Sequence, residues 1–146
     1  LEEEPMKTLY TTRATAHGGR AGHVKTDDGL LEVALALPTS MGGKGGATNP
    51  EQLFAAGYAA CFENAVLHVA RGKKVKLEEQ ALAVTAEVGI GPNDKGGFQL
   101  AVTLDVIVPG VDQATAEDLV HTAHQVCPYS NATRGNIDVN LKVAVK

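Results

Sequence analysis

Two cysteines, Cys61 and Cys127, are the residues of this 146-residue chain best suited to redox chemistry. Their surroundings give them different characters. Asn49, Pro50 and Gln52 mark a helix start: a cap, a proline at the first helical position, and a glutamine three after the cap. Cys61 lies 11 positions beyond Pro50, about 16 Å into that helix at the standard rise. The positive end of a helix dipole acts only within the first turn. A thiol in this apolar stretch has a raised pKa, so a nucleophilic Cys61 needs a cation from elsewhere. Arginine suits the task, because it keeps its charge and also holds oxygen ligands through its fork of donors. Cys127 is placed in the last turn of a second helix, beside Pro128. The negative helix end disfavours a thiolate there, but leaves a thiol able to condense with a sulfenic acid on another cysteine. If the pair is reactive, Cys61 attacks and Cys127 resolves. The plainer reading, two inert thiols packed as small hydrophobes, stays open at this point.

Two charged residues can serve such a pair. Glu51 falls in the first turn of the Cys61 helix, where a carboxylate either complements the dipole at the surface or orients an arginine. Arg20 sits in the glycine-flanked turn His17–Gly22, as a solvated turn charge or as that arginine. Other combinations are weaker. Lys44 in the glycine-rich run 42–46 is followed by Gly45, not by the Ser or Thr of a phosphate loop. His121 and His124 are three apart, too sparse for a metal site.

The elements that position these residues are legible from periodicity. Strands are expected at 7–16, 23–27 and 30–37, followed by a loop to Thr48. The first helix runs from Pro50 to about Arg71, with Gly72 as terminator and apolar residues nearly all round, so it is central. Residues 79–90 and 98–108 alternate and form an antiparallel hairpin around the loop 92–97. Asp112 caps a second helix that Pro128 ends, and 137–145 is a final strand. The order is that of an α+β domain with mainly antiparallel sheets packed on two central helices.

Composition narrows the function classes. The chain is 44% apolar and 21% charged, ordinary for a globular domain. Its net charge of −4 shows no basic face for nucleic acid. No unbroken run of about 18 apolar residues occurs, so no membrane span is expected. The acidic start, Leu1 to Pro5, lacks the basic-then-apolar order of a secretory signal, which points to the cytoplasm. Residues 1–6 are read as an extension or an expression remnant, and 7–146 as a single domain.

Three segments carry a family resemblance. Residues 47–62 (ATNPEQLFAAGYAACF) resemble the cysteine helix of the organic hydroperoxide resistance proteins, a branch of the OsmC-like family. Residues 124–139 (HQVCPYSNATRGNIDV) resemble their second cysteine motif, and His17–Gly22 their arginine turn. Glu63 and Asn64 are more polar than the small residues expected after the first cysteine. The resemblance implies an OsmC-like fold and an intertwined homodimer. It implies a peroxidatic Cys61, a resolving Cys127, an Arg20 that steadies the thiolate and the peroxide, and a Glu51 that holds Arg20. It implies organic hydroperoxides as substrates, a dihydrolipoyl group on a protein, or dihydrolipoamide, as reductant, and no bound cofactor or metal. Phe54, Tyr58 and Phe62 would then line an apolar pocket near Cys61. The alternatives are an osmotically induced peroxidase of the same superfamily and a non-catalytic thiol sensor or hydrophobic-ligand binder.

Overall fold

The computed structural model describes residues 6–146, so Leu1–Pro5 of the expected extension lie outside the described residues. The chain divides into two compact units, one ending at Pro50 and one running Glu51–Lys146. The first holds three short antiparallel strands: β1 (Ala14–His17), β2 (His23–Thr26) and β3 (Glu32–Ala34), in that order. They are shorter than expected from composition: residues 6–13 are not in a strand, and β3 covers only part of 30–37. All four β1 side chains are exposed, so this sheet has little of the buried face that makes a strand regular. Arg20 rides on a 3-10 turn, Gly19–Ala21, between β1 and β2. Glycine makes that turn possible. Gly18 has φ +80°, and a Cβ on Gly22 would stand 1.7 Å from the His17 carbonyl oxygen.

The second unit contains the hydrophobic core. Its long helix α1 (Pro50–Gly72) turns Tyr58, Phe62, Ala65, Val66, Val69 and Ala70 inward. Strand β4 (Ala83–Pro92) pairs antiparallel with β5 (Phe98–Ile107), and β5 pairs parallel with β6 (Val139–Ala144). The middle strand β5 buries Val102, Leu104 and Val106, while α2 (Gln113–Val126) buries Ala116, Leu119, Val120 and Ala123 at helical spacing. Asp112 caps α2 as expected, accepting from the Thr115 N–H at 2.7 Å. A third helix, α3 (Pro128–Thr133), was not anticipated. Pro128 was read as a stop signal, but proline is equally suited to the first position of a helix. Helix α1 is also long and apolar enough in length and composition to cross a membrane, which the strict search for an unbroken apolar run missed. Its inward residues belong to the core shared with β5 and α2, as expected of the central helix of a folded unit.

Helix α1 ends differently from expectation. Gly72 is still helical, and the left-handed position falls on Lys74, at φ +58°. The Val75 N–H reaches the Ala70 carbonyl at 2.8 Å, closing the end. A left-handed conformation costs a side-chain-bearing residue about 1–2 kcal/mol, and glycine's extra flexibility offsets part of that. Lys74→Gly should therefore raise unfolding stability by about 0.5–1 kcal/mol, read from the urea midpoint at unchanged slope. A lowered midpoint would mean that the Lys74 side chain matters more than its backbone.

Candidate active site

Pro128 shapes the site. The residue before a proline is kept out of the helical region, and Cys127 accordingly has φ −60° and ψ 123°. It is both the last cap of α2 and the first cap of α3. This corrects its expected place inside the last turn of α2: it stands at the corner between two helices. The corner turns its sulfur to α1. Cys127 Sγ lies 3.6 Å from Cys61 Sγ, and both thiols are free. A disulfide needs about 2.05 Å between sulfurs, so the pair is in contact and unbonded. Cys127 is fully buried and Cys61 only partly, so the two differ in access to solvent as well as in helix position.

Two hydrogen bonds act on Cys61. The Cys127 thiol donates to it, and the backbone N–H of Tyr129 points at its sulfur. Tyr129 is in the first turn of α3, where helical N–H groups have no partner within the helix. Burial raises the Cys61 pKa first, and the neighbouring Cys127 raises it further, while the Tyr129 N–H lowers it. The net direction is upward. Within this unit, burial favours the neutral thiol of Cys61 over the thiolate, in line with its place in the helix.

Aromatic rings pack beside the sulfurs. Tyr129 rests between Phe54 and Tyr58, with centroids 6.1 and 5.6 Å away, and a Cβ on Gly57 would come within 2.7 Å of its hydroxyl. The absent side chain at Gly57, one turn before Cys61, thus makes room for the Tyr129 ring. The expected pocket of Phe54, Tyr58 and Phe62 needs correction. Tyr58 and Phe62 are fully buried in the core. Phe54 lines a cavity of about 490 Å³, with Phe98, Leu100 and Ile137 among its walls.

Helix α3 brings further residues that the sequence reading missed. Tyr58 Oη lies 2.8 Å from Ser130 Oγ and 3.1 Å from Thr133 Oγ1, all three residues being buried. The signal for them was present: a proline followed by Tyr-Ser-Asn-Ala-Thr is a short helix carrying two hydroxyls on one face. Arg134 Nη1 donates to the His124 carbonyl at 2.8 Å and joins the end of α3 to α2. The His124 pKa is lowered by burial first, then by the charges of Arg134 and His121. Among the described residues, no group of three or more His, Cys, Asp or Glu side chains is arranged to hold a metal. Glu51 occupies the first turn of α1, and Arg20 belongs to the first unit, in the turn described above.

Known proteins share this arrangement of elements. Residues 43–142 match the model of the OsmC-like protein family. An organic hydroperoxide resistance protein of Xanthomonas axonopodis pv. citri (strain 306) is 54% identical over 141 residues, covering 96% of this chain and 98% of that protein. OhrB of Bacillus subtilis (strain 168), also an organic hydroperoxide resistance protein, is 44% identical over 136 residues, covering 92% and 98%. The crystal structure of an organic hydroperoxide resistance protein from Legionella pneumophila superposes with a TM-score of 0.91 at 58% identity, covering 95% of this chain and 100% of that one. A protein of the same description from Vibrio cholerae, with captopril bound in one of its active sites, gives 0.90 at 58% identity, covering 97% and 96%. With the sulfurs, the fold and these relatives in agreement, the chain belongs to the OsmC-like family, among its organic hydroperoxide resistance proteins.

Proposed function

We propose that this protein is a thiol peroxidase that reduces organic hydroperoxides to alcohols. The observation that carries the reading is the 3.6 Å contact between an accessible and a buried free thiol. The Cys61 thiolate attacks the terminal peroxide oxygen. The O–O bond breaks, the alkoxide leaves and takes a proton from water, and Cys61 becomes a sulfenic acid. The Cys127 sulfur then attacks the Cys61 sulfur. An S–S bond forms, the S–O bond breaks, and the hydroxyl departs as water with the Cys127 proton. A dihydrolipoyl dithiol, free or attached to a protein, reduces the disulfide by two exchange steps and is itself oxidised. The chain works in the cytoplasm as one domain over residues 7–146, extending the reading from sequence. It works as a homodimer: β1 is exposed at all four positions, and so short a sheet needs cover that a second copy supplies.

Since burial favours the neutral thiol of Cys61, the scheme requires Arg20 to reach the sulfur, with Glu51 orienting the guanidinium. This can be tested on Cys127→Ser protein, where Cys61 is the one remaining cysteine. Its alkylation rate by iodoacetamide should follow a pH profile with a midpoint below the ~8.5 of a free thiol. Adding Arg20→Ala should move the midpoint upward, since the thiolate loses its cation, and slow alkylation at pH 7. Superimposable profiles would remove Arg20 from the mechanism. For the function as a whole, the test is turnover of cumene hydroperoxide with reduced lipoamide. The proposal expects continuous consumption of both reactants. A single stoichiometric oxidation without cycling would indicate a thiol sensor.

A further inference from the structure

We infer that Tyr58 is a positioning residue for the second chemical step, setting the approach of Cys127 to Cys61. The inference rests on the disulfide chemistry proposed above, and deepens it. Tyr58 precedes Cys61 by three residues on α1, so the two side chains share a helix face. Its phenol is fully buried and meets two hydroxyls of α3, Ser130 at 2.8 Å and Thr133 at 3.1 Å. Ser130 and Thr133 follow Cys127 by three and six residues. Both sulfurs and all three hydroxyls therefore lie along one seam between α1 and α3.

Helix α3 cannot hold itself in register. It has six residues, and isolated helices below about 12 residues are marginal in water. Arg134 and Asn131 fasten it to carbonyls of His124 and Gln125 at the end of α2. Those bonds join α3 to the helix that already leads into Cys127. They do not fix its distance from the Cys61 helix. Across to α1 run the Tyr129 ring, packed against Phe54 and Tyr58 beside Gly57, the Tyr129 N–H on Cys61, and the Tyr58 phenol. The N–H responds to the charge and oxidation state of the sulfur it serves and ring packing permits sliding, whereas the phenol does not change through the reaction. Thr133 Oγ1 also donates to the Ser130 carbonyl within α3 at 3.3 Å, so it is the buried Tyr58 phenol and Ser130 hydroxyl that depend on α3 being seated in this register. Hydrogen bonds tolerate little slip, so the cluster defines position where apolar packing alone would permit sliding.

Condensation closes the sulfurs from 3.6 Å to about 2.05 Å. A shift of α3 by a comparable amount would leave Cys127 out of line. The sulfenic acid on Cys61 would then persist and meet a second hydroperoxide, giving sulfinic acid. The first oxidation needs only Cys61 and the Tyr129 N–H beside its sulfur, and a shift of α3 too small to part that contact leaves its rate close to native.

Rapid-quench mass spectrometry of Tyr58→Phe, with cumene hydroperoxide as oxidant, separates the two steps. Loss of the Cys61 thiol should keep its native rate, while formation of the Cys61–Cys127 link slows by about tenfold to a hundredfold, the range for an ångström-scale misplacement. The sulfinic fraction should rise accordingly. Ser130→Ala, which removes one of the two contacts, should give a smaller effect in the same direction and serves as the test if Tyr58→Phe fails to fold. A native rate of link formation in the folded variant would overturn the inference, as would equal slowing of both steps, which marks a merely structural role. If the native protein itself forms no link, the proposed function fails along with it, and the native control distinguishes that result.

Discussion

Cys61→Ser protein should fold normally and reduce organic hydroperoxides more slowly than the native chain by on the order of 10⁴-fold or more, the scale seen when a covalent nucleophile is removed. The residual rate would be that of the uncatalysed reaction with the reductant. The substitution is small: a partly buried sulfur becomes a hydroxyl on the same helix face, and the core residues Tyr58, Phe62 and Val66 keep their contacts. A serine hydroxyl stays protonated at neutral pH and lacks the soft, polarizable sulfur that attacks peroxide oxygen. The neighbouring Cys127 cannot take over. It is fully buried, so a hydroperoxide does not reach it while the fold is intact. Retention of more than a few per cent of turnover would place the chemistry elsewhere.

Cys127→Ser should separate oxidation from turnover. The first equivalent of hydroperoxide is consumed at close to the native rate, because the attacking sulfur is unchanged. Turnover with reduced lipoamide then falls to a small fraction of native, since the disulfide that the dithiol recognises cannot form. Cys61 should accumulate as sulfenic acid, trapped by dimedone, and pass to sulfinic acid with excess oxidant. Full cycling by this variant would show that the dithiol reduces the sulfenic acid directly and that Cys127 is dispensable. Each variant loses a different step, so the pair together assigns attack and resolution to the two sulfurs.

The environment of Cys61 was legible in the sequence because it depends on chain neighbours, whereas the corner at Cys127 was not, because Pro128 opens α3 as well as closing α2. A thiol eleven residues beyond Pro50 is past the helix dipole in any fold that keeps the helix, and burial then raises its pKa. The core face of α2 was equally readable from the spacing of Ala116, Leu119, Val120 and Ala123. What was not legible depends on partners distant in the chain. The 3.6 Å sulfur contact joins residues 66 positions apart. The Tyr58 cluster crosses 72 and 75 positions, and hydroxyls in a sequence carry no sign of where they pair. Tyr58 and Phe62 were misplaced in a pocket because apolar residues occur all round α1, so periodicity does not say which of them face the core. Helix α3 was hidden because a proline punctuates helices at both ends. The strands of the first unit came out short because a Thr-rich composition favours extended backbone without supplying a face to bury, and β1 buries neither face.

The central claim is that oxidant reaching Cys61 is captured by Cys127 within the same chain. Its most direct measurement is a peptide map without reductant, taken after the native protein meets one equivalent of cumene hydroperoxide. The account predicts a Cys61-containing peptide joined to a Cys127-containing peptide, a loss of two hydrogens from the intact chain, and full reversal by reduced lipoamide. Two free thiols with the hydroperoxide unconsumed, or oxygen retained on Cys61 with Cys127 unlinked, would contradict it.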